Sequence, residues 1–216
     1  MSEPGTMKQE EERGDRFTIR GAPVNWECSG KFSFTTGYGA TRTESAIAHG
    51  AAFLAPVALY FLAWRALDWS ALQIAVASLL TLDLVGGVLT NSLGSMKRFL
   101  HTDQELELTP LERWVGRPLA FPALHLQIFA LPVFFETPWS FAFFWYGAMM
   151  AAVLLLRLVP FYLHRAVALL TVTASILVAH STTGPDGLEW IGPVYMIKLV
   201  LAHAVREEPY RPTTTT

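Results

Sequence analysis

The sequence predicts an all-α protein, a polytopic helix bundle integral to a membrane, and three observations carry that prediction. Of 216 residues, 52% are hydrophobic and only 16% charged, against about 25% charged in an ordinary soluble domain. The charges are unevenly spread: seven acidic and six basic residues precede Ala46, leaving 21 for the remaining 171 positions. That remainder holds six apolar stretches close to the roughly 20 residues a helix needs to cross a hydrocarbon core about 30 Å thick. Mean hydropathy is +0.34.

The stretches run over 45–67, 71–93, 119–135, 139–156, 165–181 and 188–205. Glu136, Thr137 and Pro138 form a tight turn between the third and fourth. Thr182 to Gly187 joins the fifth and sixth with Gly and Pro, a strong turn signal. Between the fourth and fifth only Pro160 argues for a break, because proline cannot continue a helix. Without that break the chain would have five spans.

Residues 1–44 are polar, with a charged run at Glu10, Glu11, Glu12, Arg13, Asp15 and Arg16. No basic segment precedes an apolar one there, so a signal peptide is not expected. The expected organisation is a cytosolic tail over 1–44, a bundle over 45–206 and a short polar tail over 207–216. A weak strand pair between Phe17–Ile19 and Phe32–Thr35 is a further expectation. The loop 101–117 carries Asp103, Glu105, Glu107 and Glu112, and Thr109-Pro110-Leu111-Glu112 reads as a helix start on the membrane surface.

Orientation follows from Lys and Arg near the span ends. Six spans place Lys97, Arg98, Arg113, Arg117, Arg157, Arg165, Arg206 and Arg211 on the face of both termini, and Arg65 alone opposite. Both termini are therefore expected in the cytosol. A net charge of −2 gives no basic surface for nucleic acid. Cys28 is the sole cysteine, which excludes an intrachain disulfide and any multi-thiolate metal site.

Ionisable residues within a membrane cost about 2.5–3.5 kcal/mol each on insertion scales, so each is a candidate for function. Asp83 lies eight residues from Asn91, and Lys198 eight from Arg206, which puts both roughly 12 Å deep; His125 is roughly 10 Å deep. These three are the candidate catalytic residues. His49, Asn91, His101, His164 and His203 gather toward the cytosolic end as a polar mouth, and Tyr195 neighbours Lys198 at i, i+3; these six are the candidate substrate-binding residues. Only His180 falls at the other end. On a regular helix His203 would stand about 140° round from Lys198. Asp83, Gly87, Thr90, Asn91 and Gly94 share one small, polar helix face, suited either to helix packing or to a ligand.

Several chemistries use such residues. A metal site is one, although the chain has no His-x-x-His, His-x-x-x-His or His-Glu-x-x-His spacing. Haem held between His125 and His49 or His203 is another. Acid–base work on a lipophilic substrate fits Asp and His in an apolar, aromatic setting. Small helical membrane cyclases and sterol isomerases are similar in size and span number, an analogy at the level of fold. A proton-coupled carrier is the rival class, and one of six short spans would call for a homo-oligomer; a scaffold needs no site. The expectation adopted is an integral membrane enzyme acting on a lipid- or terpenoid-like substrate, with no cofactor specified. Its expected partners are the bilayer and a lipophilic small molecule. Trp64, Trp69, Trp190 and the aromatics of 134–146 are expected as an interfacial belt.

Overall fold

In hydrocarbon every backbone N–H and C=O must find a partner within the protein, which favours helix for every long apolar segment. The computed structural model describes residues 18–19, 22–182 and 184–211, and it is mostly helical. Helix α1 (Arg42–Leu62) starts at a capping box in which Glu44 N–H donates to Thr41 Oγ1 and Thr41 N–H to Glu44 Oε2. Helix α2 (Ala71–Ser92) starts at an equivalent box of Ser70 and Gln73. Short helices α3 (Gly94–His101) and α4 (Pro110–Val115) follow, the latter capped by Thr109 and Glu112 at the expected start. Next comes a broken segment: α5 (Ala120–Ala123), a 3-10 turn (Leu126–Phe129) and α6 (Ala130–Phe134). Helices α7 (Trp139–Leu158) and α8 (His164–Ala179) are separated at Pro160. Finally α9 (Ile191–Met196) runs directly into a π-helix (Ile197–His203).

Among the described residues four helical segments are long and apolar enough to cross a membrane: Arg42–Ala66, Ala71–Ser92, Trp139–Leu158 and Phe161–Ala179. The expected third and sixth spans correspond to the shorter apolar segments Ala120–Phe134 and Ile191–His203, so four helices of spanning length are shown and the full six are not. The first of these is broken for a local reason. A continuous helix through Pro132 would drive its ring into the carbonyl of residue 128, and at that point the backbone is 3-10.

The strands also differ from expectation. β1 (Thr18–Ile19) pairs with β2 (Ala22–Pro23), and β3 (Phe32–Ser33) with β4 (Gly37–Tyr38); Phe17 lies outside the described residues. Each strand closes on its nearest neighbour, which costs the least loop entropy. Gly37 has φ +76°, and a Cβ there would strike the Ser95 backbone, so the second hairpin lies directly on α3. Val24 bridges Tyr210, Asn25 N–H donates to the Pro209 carbonyl and Arg211 N–H to that of Pro23. The segments near both ends of the described chain therefore pair, and they cover the same end of the bundle as α3.

At the opposite end the indole N–H groups of Trp64 and Trp190 both donate to the Gly187 carbonyl, at 3.0 and 3.2 Å. Trp64 and Trp145 are buried, so part of the expected aromatic belt is core. Trp145 lies flush on Gly192, where a Cβ would enter its ring.

Candidate functional site

The site is built where α2, the broken segment and the π-helix meet. Lys198 Nζ donates to both carboxylate oxygens of Asp83 at 2.7 Å, and Gln127 Nε2 donates to Asp83 Oδ2 at 2.9 Å. The two charges are unequally placed: the Lys198 side chain is 3% exposed and that of Asp83 47%. Gly87 makes this possible, because a Cβ there would fall on Lys198 Cε. The small face of α2 is thus a notch for the lysine stem. Gly94, expected on the same face, instead opens α3 and lies against the Tyr210 backbone. A buried ammonium without a counter-charge costs several kcal/mol; here it is balanced by a carboxylate that still faces outward.

The outward side of Asp83 opens on a cavity of about 360 Å³. Val76, Leu79 and Leu80 of α2 and Leu124, His125 and Gln127 of the broken segment line it. His125 Nδ1 donates to the Phe121 carbonyl at 2.7 Å. A carbonyl can only accept, so in the neutral ring Nε2 keeps the free lone pair. The carbonyls left free where the helix breaks are met by phenols: Tyr195 Oη donates to His125 O at 2.6 Å, and Tyr146 Oη to Ala123 O at 2.8 Å. Tyr195 is fully buried.

Phe121 links this cluster to the end of the bundle where 23–25 pair with 209–211. Its ring centroid is 4.2 Å from that of His125 and 4.4 Å from that of His203, the latter stacked at 25°. His203 is buried and its carbonyl accepts from His101 Nε2 at 3.0 Å. The regular-helix spacing that separated His203 from Lys198 by about 140° does not apply here. A π-helix bonds i to i+5, and His203 is five residues past Lys198, so the two share a face. Lys97, one turn before His101 on α3, donates to the carbonyls of Ala202 and Val205 at 2.5 and 2.6 Å and stands 3.8 Å from Glu207. Lys97 and His101 together cap the end of the π-helix. Burial lowers the pKa of Lys97 to about 8, with Glu207 opposing. Burial, with the nearby Lys97 charge second, lowers His101 to about 4.

Of the residues singled out in the sequence, Asp83, His125, Lys198, Tyr195, His203 and His101 come together in one connected group. Asn91 is buried on α2, and its Nδ2 has no partner among the described residues. His49 and His164 serve local joints instead. His49 Nε2 and Thr35 Oγ1 are 2.9 Å apart at an exposed position, and His164 Nε2 donates to the Val159 carbonyl at 3.2 Å. Gln127 and Phe121 were missed by the sequence reading. Gln127 had a signal, being an uncharged polar residue two positions from His125 in an apolar stretch; Phe121 had none. Among the described residues no three His, Cys, Asp or Glu side chains converge as metal ligands. No protein-family model matches the chain, and no curated protein or solved structure is significantly similar to it.

Proposed function

We propose that this chain is a membrane-embedded enzyme that performs acid–base chemistry on a lipophilic substrate, with Asp83 as the proton-transferring group. The observation that carries this is the half-exposed Asp83 carboxylate at the wall of an otherwise apolar cavity, backed by the buried Lys198. Asp83 takes a proton from the substrate and returns it at another position, so the substrate is rearranged with no change in composition. Lys198 balances the carboxylate charge, Gln127 orients it, and His125 offers a second acceptor at the same wall.

Six crossings, with both chain ends in the cytosol, complete this reading. The pairing of Val24 with Tyr210 supports an even number of crossings. The two shorter segments run between the same ends of the bundle as the long helices. Gln73 at the start of α2 donates to the Phe134 carbonyl, while Phe121 meets His203 at the other end. The Lys and Arg bias supports a cytosolic position for that other end.

The test compares lipid extracts, by untargeted mass spectrometry, from cells expressing the wild type and Asp83→Asn at equal membrane abundance. A species present with wild type and lost with the variant is expected. Identical extracts overturn the enzyme reading.

A further inference from the structure

Resting on that reading of the site, we infer that its ligand is a long-chain molecule with a hydrogen-bond-donating head, a hydroxyl or an amine, and not an anionic one. The Asp83–Lys198 pair is a dipole with a fixed direction. Its ammonium is sealed in the protein, the stem lying over Gly87 and the side chain 3% exposed; its carboxylate is 47% exposed. A molecule in the cavity therefore meets the negative end. The ammonium is already engaged by both carboxylate oxygens and cannot receive a phosphate or carboxylate from that side. Oδ2 accepts from both Lys198 and Gln127, which leaves Oδ1 the less occupied oxygen and the position for a donor. In His125 the nitrogen not bonded to Phe121 is likewise an acceptor.

The remaining wall is aliphatic: Val76, Leu79, Leu80 and Leu124. A volume of about 360 Å³ lies at the lower end of small-molecule sites, which span roughly 300–1,000 Å³. It holds a head group and the first part of a chain. A longer chain continues outside the cavity, along the apolar surface of α2, where Leu72 and Leu79 are exposed.

The test uses the full chain in lipid nanodiscs and four photoreactive probes. Each carries one C16 chain with a diazirine near the head, and the heads are hydroxyl, primary amine, carboxylate and phosphate. Labelled peptides are mapped by mass spectrometry. Hydroxyl and amine probes are expected to label within 76–83 and 124–127 at least tenfold more strongly than the carboxylate and phosphate probes. The ratio of amine to hydroxyl labelling then tells whether the natural head is charged. The double variant D83L/K198M removes both charges without stranding either, and it should abolish the head-group preference while the nanodisc-bound protein still melts cooperatively. Equal labelling by all four heads, or labelling confined to other segments, overturns the inference. Failure of the enzyme reading is distinguishable: selective labelling with unchanged lipid extracts keeps this site and discards the acid–base reaction. A product lost in Asp83→Asn without head-group selectivity does the reverse.

Discussion

The four long helices and the two short apolar segments follow different rules. In α1, 21 residues long, only Ala48 and Ala52 are buried. In the seven-residue π-helix, Lys198, Leu199, Val200, Ala202 and His203 all are. The long helices satisfy their own backbones and present apolar side chains outward, as hydrocarbon demands. The short segments have irregular backbone that needs outside partners: Tyr195 and Tyr146 for the carbonyls near the break, Lys97 and His101 for the end of the π-helix. Irregular backbone at membrane depth is tolerated only where its polar groups are met by protein; the π-helix is buried outright, while the broken segment turns its free carbonyls inward and leaves Leu124, Leu126 and Val133 exposed. Polar side chains tolerate the same place for the same reason. The candidate chemistry is concentrated where helical regularity is lost, with α2 contributing one carboxylate and one notch.

The largest effect expected tests the polarity of the pair that joins the two kinds of region. Asp83→Leu leaves the Lys198 ammonium buried without a counter-charge and should cost about 3–5 kcal/mol, the usual penalty for breaking a buried pair from one side. Lys198→Met leaves only a half-exposed carboxylate and should cost clearly less. The double variant should be more stable than Asp83→Leu alone, a non-additivity that reports direct coupling. Thermal unfolding in detergent measures all three. Equal costs for the two single variants would show that the burial difference between the charges has no energetic weight.

Acid should loosen the end of the π-helix. The folded pKa of His101 is lowered to about 4 from an ordinary 6.5, so the unfolded chain binds this proton more tightly. Its neutral form therefore supports the fold fully above about pH 6.5, and that support is lost as pH falls toward 4. The full shift corresponds to about 3 kcal/mol at most. His101→Gln keeps a side-chain donor for the His203 carbonyl but does not titrate. Melting temperatures at pH 7.5 and 4.5 should diverge less for this variant than for wild type; parallel profiles would refute the role.

The sequence made the long helices legible because their signals are local. Their apolar runs are continuous and Pro160 divides α7 from α8; Thr109 with Glu112 likewise marks the start of the short α4. Depth counting brought Asp83 and Lys198 to one level, and they are bonded. What escaped was everything that depends on a helix not being regular. The 100° step that separated Lys198 from His203 presumes an α-helix, and no local residue announces the π turn. Its supports, Lys97 and His101, lie about 100 positions away. The cap over 22–40 was read as tail because its contacts are likewise remote, such as Arg98 donating to the Tyr38 carbonyl at 3.0 Å. Gly87 suggested either packing or a ligand, and only the position of the lysine stem decides between them.

Smaller effects sharpen the boundary between the site and its surroundings. Gly87→Ala places a methyl on the Lys198 stem and should cost about 1–3 kcal/mol, the range for overpacking a filled space. It should also reduce head-group selectivity, because Lys198 must shift to accommodate it. Thr35→Ala is expected to do least. It removes the exposed contact to His49 at 2.9 Å, and such surface changes usually stay within about 0.5 kcal/mol. His49 was grouped with the polar mouth by depth alone, yet its bond runs to the hairpin and not to the cavity. If Thr35→Ala alters probe labelling at 76–83, the hairpin communicates with the cavity and the site extends into the cap; unchanged labelling keeps the functional group within α2, the broken segment and the π-helix.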